Sequence, residues 1–203
     1  MTHVPKKIVK KENMLFLNLI NSIRKDLRDI GITYSCNLVG SAKRNLVILD
    51  HKNNFDCDYQ IFIRKNKNEY TAKKIKYAFI NLLNKNRGNM FGPCKNRTTS
   101  IKIEKNEKNI YNGITSCDIV LIKQDHNGLQ IIKKADDNDK YDFNILKNMD
   151  SYMNDYKKIK GKMWDELRNK YYDKKINNSN ENLKSFQLLH MVVVEVLKDN
   201  GIY

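Results

Sequence analysis

The segment 55–63 constrains the fold most, because acidic and apolar residues alternate along it. Asp56 and Asp58 are each flanked by apolar side chains, and the acids cease after Asp58 while the apolar positions continue. Successive side chains of a strand point to opposite faces, so the two aspartates share one face and Phe55, Cys57 and Tyr59 share the other. The segment therefore predicts a β-strand with one face in the core and an acidic patch on the opposite face.

Two carboxylates on one face repel each other unless they are solvated, protonated or bound to cations. A second apolar strand, predicted at 117–123, carries Asp118 near its start. If the two strands pair, three carboxylates meet, and such a set can hold two divalent cations. We therefore predict that Asp56, Asp58 and Asp118 are both the metal ligands and the catalytic residues, with two magnesium ions, or manganese in their place.

A glycine and a serine, Gly40 and Ser41, follow another predicted strand at 32–39. Because glycine has no side chain, backbone amides at such a turn can approach a phosphate closely. Lys43 and Arg44 come directly after and supply positive charge for further phosphate oxygens. These four residues are predicted to bind a nucleotide, although an ordinary turn followed by solvated charges has the same pattern.

The order of the predicted elements is helix, two strands, helix, three strands and then helices. This order predicts an α+β fold with a mixed sheet and helices packed on one face. We expect a catalytic core at 1–135 and a helical C-terminal segment, 136–203, packed on it. An acidic link at 136–142 joins them, and its residues Asp136, Asp137 and Asp139 are expected to be solvated.

The formal net charge of +15 favours polyanionic partners such as RNA, transfer RNA or nucleotides. Part of this excess carries no functional meaning, because abundant Lys, Asn, Ile and Tyr are typical of an AT-rich coding sequence. The four cysteines form no C-x-x-C pair, which argues against a structural zinc site. No signal peptide and no apolar run of about 20 residues is present, so we expect a soluble, cytoplasmic protein without a membrane partner.

Three short segments together resemble the polymerase-β-type nucleotidyltransferases. They read Leu-Val-Gly-Ser at 38–41, Phe-Asp-Cys-Asp-Tyr at 55–59 and Ser-Cys-Asp-Ile-Val at 116–120. The resemblance covers roughly 13–133 and agrees in order and strand context. It implies the fold of that superfamily and two-magnesium catalysis, in which Asp56 and Asp58 bind both metals and Asp118 helps to activate the acceptor hydroxyl.

A weaker resemblance concerns Lys184 and Ser185, which precede the apolar terminal helix. They are similar to the Lys and Ser-Phe/Tyr signature with which bacterial second-messenger synthases and oligoadenylate-synthase-like enzymes contact the triphosphate or the base. This resemblance implies that both residues bind the nucleotide. The plain alternative is that Ser185 caps the helix.

The first functional hypothesis is a nucleotidyltransferase that binds ATP or another nucleoside triphosphate, moves its nucleoside monophosphate to a hydroxyl and releases pyrophosphate. The acceptor stays open between an RNA or transfer RNA end, a protein or small-molecule hydroxyl, and a second nucleotide. The alternative is a catalytically silent nucleotide- or RNA-binding module of the same fold. Cys57 and Cys117, which flank the acids, are predicted to be core thiols rather than nucleophiles.

Overall fold

The computed structural model describes residues 3–126, 128–135, 139–146, 150–180, 183 and 185–203 of the 203-residue chain. The chain divides into two compact units, Val4–Leu146 and Lys147–Tyr203, and the second also includes Met1–His3. The first unit contains the β-sheet and the second contains the C-terminal helices, so each is described by itself.

The first unit opens with a helical segment whose apolar residues recur at every third or fourth position. The three-and-four spacing of apolar residues over 13–30 predicts one helix, but the backbone leaves helical geometry at Ile23, where φ is −89° and ψ is 0°. The apolar face continues across this break, because Ile20, Ile23 and Leu27 are all buried. The helices of this unit are α1 (Lys6–Ser22), α2 (Arg24–Asp29), α3 (Gly40–Lys43) and α4 (Ala72–Asn86).

The seven strands of the first unit form one mixed sheet. They are β1 (Ile32–Val39), β2 (Phe55–Asn66), β3 (Lys95–Asn96), β4 (Ser100–Glu104), β5 (Thr115–Asp125), β6 (Gly128–Ala135) and β7 (Lys140–Ile145). The strand order is β1-β2-β5-β4-β3, while β6 pairs with the later part of β5 and with β7. Only the β2–β5 pair is parallel among the paired strands of the described chain. The predicted α+β class is confirmed.

The core of the first unit joins the helices to one face of the sheet. Each fully buried large apolar side chain contributes roughly 1.5–3 kcal/mol relative to an exposed one. This burial fixes which face of each strand points to the helices. Members of the cluster include Phe16, Leu19 and Ile20 of α1, Ile75, Phe79 and Leu83 of α4, Phe55, Tyr59 and Ile61 of β2, and Ile119 and Leu121 of β5.

The sheet extends further along the chain than the sequence predicted. The acidic link expected at 136–142 contains the start of β7, which pairs antiparallel with β6. Asp136 and Asp137 lie outside the described residues, whereas Asp139 forms an ion pair with Lys73 at 2.6 Å and accepts a hydrogen bond from Tyr77. The compact first unit runs to Leu146, while the boundary between functional domains after residue 135 stays a prediction.

The described part of the second unit is largely helical. The apolar run at 186–197 predicts a buried helix, but this last helix is buried along one side only, since Phe186 and Met191 are exposed. In that helix Leu188, Leu189, Val192, Val193 and Val196 are all buried. No helix in the described part of the chain is long and apolar enough to cross a membrane. The helices are α5 (Asp150–Lys158), α6 (Lys162–Ile176) and α7 (Ser185–Asp199).

Candidate active site

Asp56 and Asp58 lie on the same face of β2, as their alternation predicts. Asp56 is exposed and Asp58 is half-buried, while Phe55, Cys57 and Tyr59 are buried. A slip of one residue in the strand register would exchange the two sets and bury both carboxylates. Burial of the apolar set therefore holds the two acids on the opposite face.

Strand β5 brings the third acid to this face. It runs parallel to β2, with Asp58 directly opposite Asp118 and Asp56 directly opposite Ser116. Neighbouring strands are about 4.8 Å apart, so the three aspartates occupy adjacent positions on two strands. The strand adjacency on which the predicted site depends is confirmed.

Gly40 closes the site from the side of β1. Strands β1 and β2 are antiparallel, and their pairing places Val39 opposite Asp58. Gly40 has φ of +65°, and a Cβ added there would lie 2.2 Å from Oδ2 of Asp58. Both the left-handed conformation and this close approach require glycine. The absence of a side chain at Gly40 thus lets the Asp58 carboxylate lie against the backbone at the end of β1.

The residues after Gly40 form the single turn of α3 rather than a simple loop. Nη1 of Arg44 donates a hydrogen bond to the Gly40 carbonyl oxygen at 3.2 Å, and Lys43 is exposed. The backbone N–H of Leu46 donates to the Ser41 carbonyl oxygen at 2.9 Å. This turn borders the acids, but the nucleotide-binding roles of Gly40, Ser41, Lys43 and Arg44 stay predictions.

The carboxylates of Asp56 and Asp118 have polar partners on β4 and β5. Nζ of Lys102 lies 3.2 Å from Oδ1 of Asp56, and the Ser116 hydroxyl donates to the same carboxylate. Oγ of Ser100 donates to Oδ1 of Asp118 at 2.7 Å. The site is therefore a cluster of acids, hydroxyls and one ammonium group, which the β4–β5 pairing holds together.

The acids around Lys102 stabilise its charged form. Burial lowers the pKa of Lys102, but the negative charge and hydrogen bond of Asp56 and the charges of Asp118 and Glu104 outweigh burial. The pKa of Lys102 consequently lies above its ordinary value. The ammonium form thus persists beside the acids across the physiological range of pH.

The acids suit a divalent cation in chemistry and in backbone placement. Oxygen donors are the preferred ligands of magnesium, and the β2–β5 pairing places Asp58 directly opposite Asp118, with Asp56 on the same face. The side chains as they lie are not gathered around one point, since the described residues contain no group of three Asp, Glu, His or Cys side chains able to hold a metal ion. Oδ1 of Asp56 faces Lys102 and Oδ1 of Asp118 faces Ser100, so one ion bound by all three acids requires these carboxylates to rotate.

Contacts of Ser100, Lys102 and Ser116 with the acids were not predicted from the sequence. Ser116 carried a usable signal, because it stands two positions before Asp118 and so shares its face of the strand. The other two alternate with the apolar Ile101 and Ile103, which predicted their common face. Their place beside the acids depends on the pairing of Lys102 with Asp118 across β4 and β5, which alternation alone does not determine.

The thiols next to the acids lie on the core side. Burial, followed by the charges of Asp58 and Asp56, raises the pKa of Cys57 to about 12. Cys117 is fully buried opposite Cys57, and burial raises its pKa as well. Because the thiolate is the nucleophilic form, the prediction that both are core thiols rather than nucleophiles agrees with this geometry.

The C-terminal candidates belong to the other unit. Ser185 is the first residue of α7 and is exposed, while Lys184 lies outside the described residues. Their nucleotide-binding role stays a prediction.

Solved structures with a related fold include two kinds of synthase. DncV of Vibrio cholerae in its GTP-bound form has a TM-score of 0.59 and 14% identity, over 88% of this chain and 49% of that chain. The CdnE c-di-GMP synthase from Capnocytophaga granulosa, described as STING-associated, has a TM-score of 0.57 and 18% identity, over 95% of this chain and 60% of that chain. This chain therefore has a nucleotidyltransferase fold.

DncV is described as a cyclic AMP-GMP synthase and a prokaryotic cGAS homolog. A further DncV structure holds the linear intermediate pppA(3′,5′)pG, with a TM-score of 0.55 and 13% identity over 88% of this chain and 51% of that one. The chain thus spans about half to three fifths of the length of these structures. No protein-family model and no curated protein sequence matches the chain.

Proposed function

We propose that the chain is a metal-dependent nucleotidyltransferase that moves a nucleoside monophosphate from a nucleoside triphosphate to a hydroxyl group. The observation that supports this proposal is the pairing of Asp58 with Asp118, with Asp56 on the same face. The fold around these acids is the one in which the DncV structures bind GTP or a linear dinucleotide. The placement of the acids and the fold thus both support nucleotidyl transfer.

The residues divide the work in this proposal. Asp56, Asp58 and Asp118 hold two magnesium ions or manganese, which when bound neutralise the triphosphate and lower the pKa of the acceptor hydroxyl. Gly40 and Ser41 approach the phosphates with backbone amides and a hydroxyl, and Lys43 and Arg44 add positive charge. Lys184 and Ser185 are the proposed contacts from the C-terminal segment.

The transfer exchanges one phosphorus–oxygen bond for another. The acceptor oxygen forms a bond to the α-phosphorus, while the bond from this phosphorus to the oxygen bridging the α- and β-phosphates breaks. The electron pair of that bond leaves with pyrophosphate, and the hydroxyl proton passes to the Asp118 carboxylate. Oδ1 of Asp118 accepts a hydrogen bond from the Ser100 hydroxyl at 2.7 Å, which orients the carboxylate on the acidic face.

We favour a second nucleotide as the acceptor. The solved structures of related fold are a cyclic AMP-GMP synthase and a c-di-GMP synthase, and one of them holds a linear dinucleotide. The alternative acceptor is an RNA or transfer RNA end, for which the net charge of +15 is the favourable observation.

The test incubates the protein with each nucleoside triphosphate, alone and in pairs, with Mg²⁺ or Mn²⁺ and with or without RNA. Mass spectrometry then identifies the products, and a coupled assay measures pyrophosphate. We expect pyrophosphate and a dinucleotide from the wild type and neither from Asp58→Asn. Absence of pyrophosphate under every condition would exclude transfer.

A second candidate function is a catalytically silent nucleotide- or RNA-binding module. The observation that favours it is the engagement of Asp56 by Lys102 and of Asp118 by Ser100, without a ready three-ligand metal group in the described part of the chain. Calorimetric titration of the triphosphate with and without Mg²⁺ separates the candidates. A silent binder is expected to bind equally well in both conditions and after Asp118→Asn, whereas the enzyme is not.

A further inference from the structure

Lys102 holds an unusual position among the charges of the acidic face. Its ammonium lies 3.2 Å from Oδ1 of Asp56, and its backbone pairs directly opposite Asp118. Strand β4 therefore projects a fixed positive charge onto the acids from the neighbouring strand. Only 22% of the Lys102 side chain is exposed, against 51% for Asp56.

A bound ammonium and a divalent cation compete for the same carboxylate. Oδ1 of Asp56 already accepts from both the Lys102 ammonium and the Ser116 hydroxyl, so a metal ion at this oxygen competes with Lys102. A divalent cation bound to Asp56 and the Lys102 ammonium beside it also repel each other, and this repulsion is stronger in a half-buried site than in water. A free divalent cation must consequently move Lys102 away before all three acids can bind it.

An incoming triphosphate changes this balance. Its phosphate oxygens carry several negative charges, and they provide a new partner for the displaced ammonium. The metal–nucleotide complex thus offers a replacement interaction that the metal alone does not offer. Binding of metal and nucleotide becomes positively coupled through one side chain, and such coupling is reciprocal.

We propose that Lys102 is a positioning residue that neutralises the acidic face before substrate arrives, weakens the binding of free divalent cations and is displaced by the metal–nucleotide complex. This inference rests on the proposed function, because it assumes that Asp56, Asp58 and Asp118 hold the metal. It adds that the order of loading is set by the protein itself, so that metal is retained chiefly together with nucleotide.

The test measures Mn²⁺ binding in the absence of nucleotide, by electron paramagnetic resonance of the free ion. We expect Lys102→Met to bind Mn²⁺ at least about fivefold more tightly than the wild type, since a charge repulsion is removed. Lys102→Arg keeps the charge and should stay within about twofold of the wild type. The matched control is Lys73→Met, because Lys73 also forms an ion pair with an aspartate, Asp139 at 2.6 Å, but belongs to α4 and not to the strands of the acidic face. It should bind Mn²⁺ as the wild type does.

Unchanged or weaker Mn²⁺ binding by Lys102→Met would overturn the inference. The proposed function fails in a different way, namely if neither the wild type nor Lys102→Met binds Mn²⁺ even with a non-hydrolysable triphosphate. A thermal melt establishes that each variant is folded.

A second measurement follows Lys102 in the wild type and needs Lys102→Arg for assignment only. Lysines are labelled by reductive ¹³C-methylation, and the Lys102 signal is assigned from its loss in Lys102→Arg. We expect this signal to move when Mg²⁺ and a non-hydrolysable triphosphate are added together. A signal that stays in place under that condition contradicts displacement, whatever the stability of Lys102→Met.

Discussion

Strands β2 and β5 have two faces whose residues alternate along the same backbone yet serve opposite purposes. The apolar face consists of Cys57, Tyr59, Cys117 and Ile119, and all four are buried. The acidic face consists of Asp56, Asp58, Ser116 and Asp118. Burial on the first face stabilises the sheet, whereas like charges on the second oppose folding. One face therefore supplies the free energy that allows the other to keep its acids together.

The largest expected effect is the loss of activity in Asp58→Asn. Asp58 lies opposite Asp118 and against Gly40 at the centre of the acidic face. We therefore expect the rate of nucleotidyl transfer to fall by about 10³-fold. The melting temperature should not fall, since one of the mutually repelling charges is removed. Steady-state pyrophosphate release and a thermal melt measure the two quantities.

Asp125→Asn is the matched control, because Asp125 ends β5 beside Lys123 rather than near the other acids. Its activity should match that of the wild type. If Asp58→Asn kept more than a tenth of wild-type activity, the acidic face would not be the catalytic site.

The next effect concerns stability on the apolar face. Ile119→Ala should lower the free energy of unfolding by about 2–5 kcal/mol, because the side chain is almost completely buried and leaves a cavity. Val120 lies half-buried on the opposite face. Val120→Ala should therefore lower the free energy of unfolding by about 1 kcal/mol or less. Urea unfolding measures both, and equal costs would erase the distinction between the faces.

A smaller effect is expected where backbone conformation and site meet. Gly40→Ala places a Cβ within 2.2 Å of the Asp58 carboxylate at a φ of +65°. We expect a loss of about 1–2 kcal/mol in stability from the left-handed backbone and a fall in kcat of about 10²-fold from the displaced acid.

Gly128→Ala is the control for backbone strain. Gly128 also has a positive φ, of +104°, but an added Cβ there meets no atom within 4 Å. It should lose stability while kcat is unchanged. A loss of kcat equal to that of Gly40→Ala would show that the contact with Asp58 does not matter.

The smallest expected effect is on thiol reactivity. Burial raises the pKa of Cys94 to about 11 and that of Cys57 to about 12, so alkylation of Cys57 should be at least about tenfold slower. Iodoacetamide labelling followed by peptide mass spectrometry measures both rates, and labelling in urea should equalise them. Rapid labelling of Cys57 in the folded protein would place it outside the core.

The same pKa shift links this thiol to stability. The ordinary thiol pKa is 9.0, and in the folded chain that of Cys57 is about 12. Between these values the unfolded chain loses its proton while the folded chain keeps it, so stability should fall as pH rises above about 9.

Strand faces and strand positions that depend on local periodicity were predictable from the sequence. Alternation determined that Asp56 and Asp58 share a face, and the apolar run after Asp118 determined a second strand. The glycine and serine at 40–41 predicted a turn, whereas the chain forms the single-turn helix α3 at Gly40–Lys43. The strand β7 was missed because an acidic stretch precedes it, and its pairing with β6 outweighs this local signal.

The rest of the candidate site depends on distant pairings. The position of Lys102 beside Asp56 requires β4 to pair with β5 in one register. A shift of one residue would turn Lys102 to the helices and Ile103 to the acids. Such a register is determined by packing across the whole sheet, which a single strand pattern does not contain. The acids were therefore predictable, whereas their polar partners were not.

The parallel pairing of β2 with β5 has a consequence for how the protein is made. Ser116 follows Asp56 by 60 positions, and the intervening chain must be synthesised and folded back before the two strands can meet. Loop closure over this distance is entropically costly and must precede the contacts that stabilise it. A nascent chain halted within β4 already contains Asp56 and Asp58 but has no site. The acidic face is thus assembled only as β5 leaves the ribosome and completes the centre of the sheet.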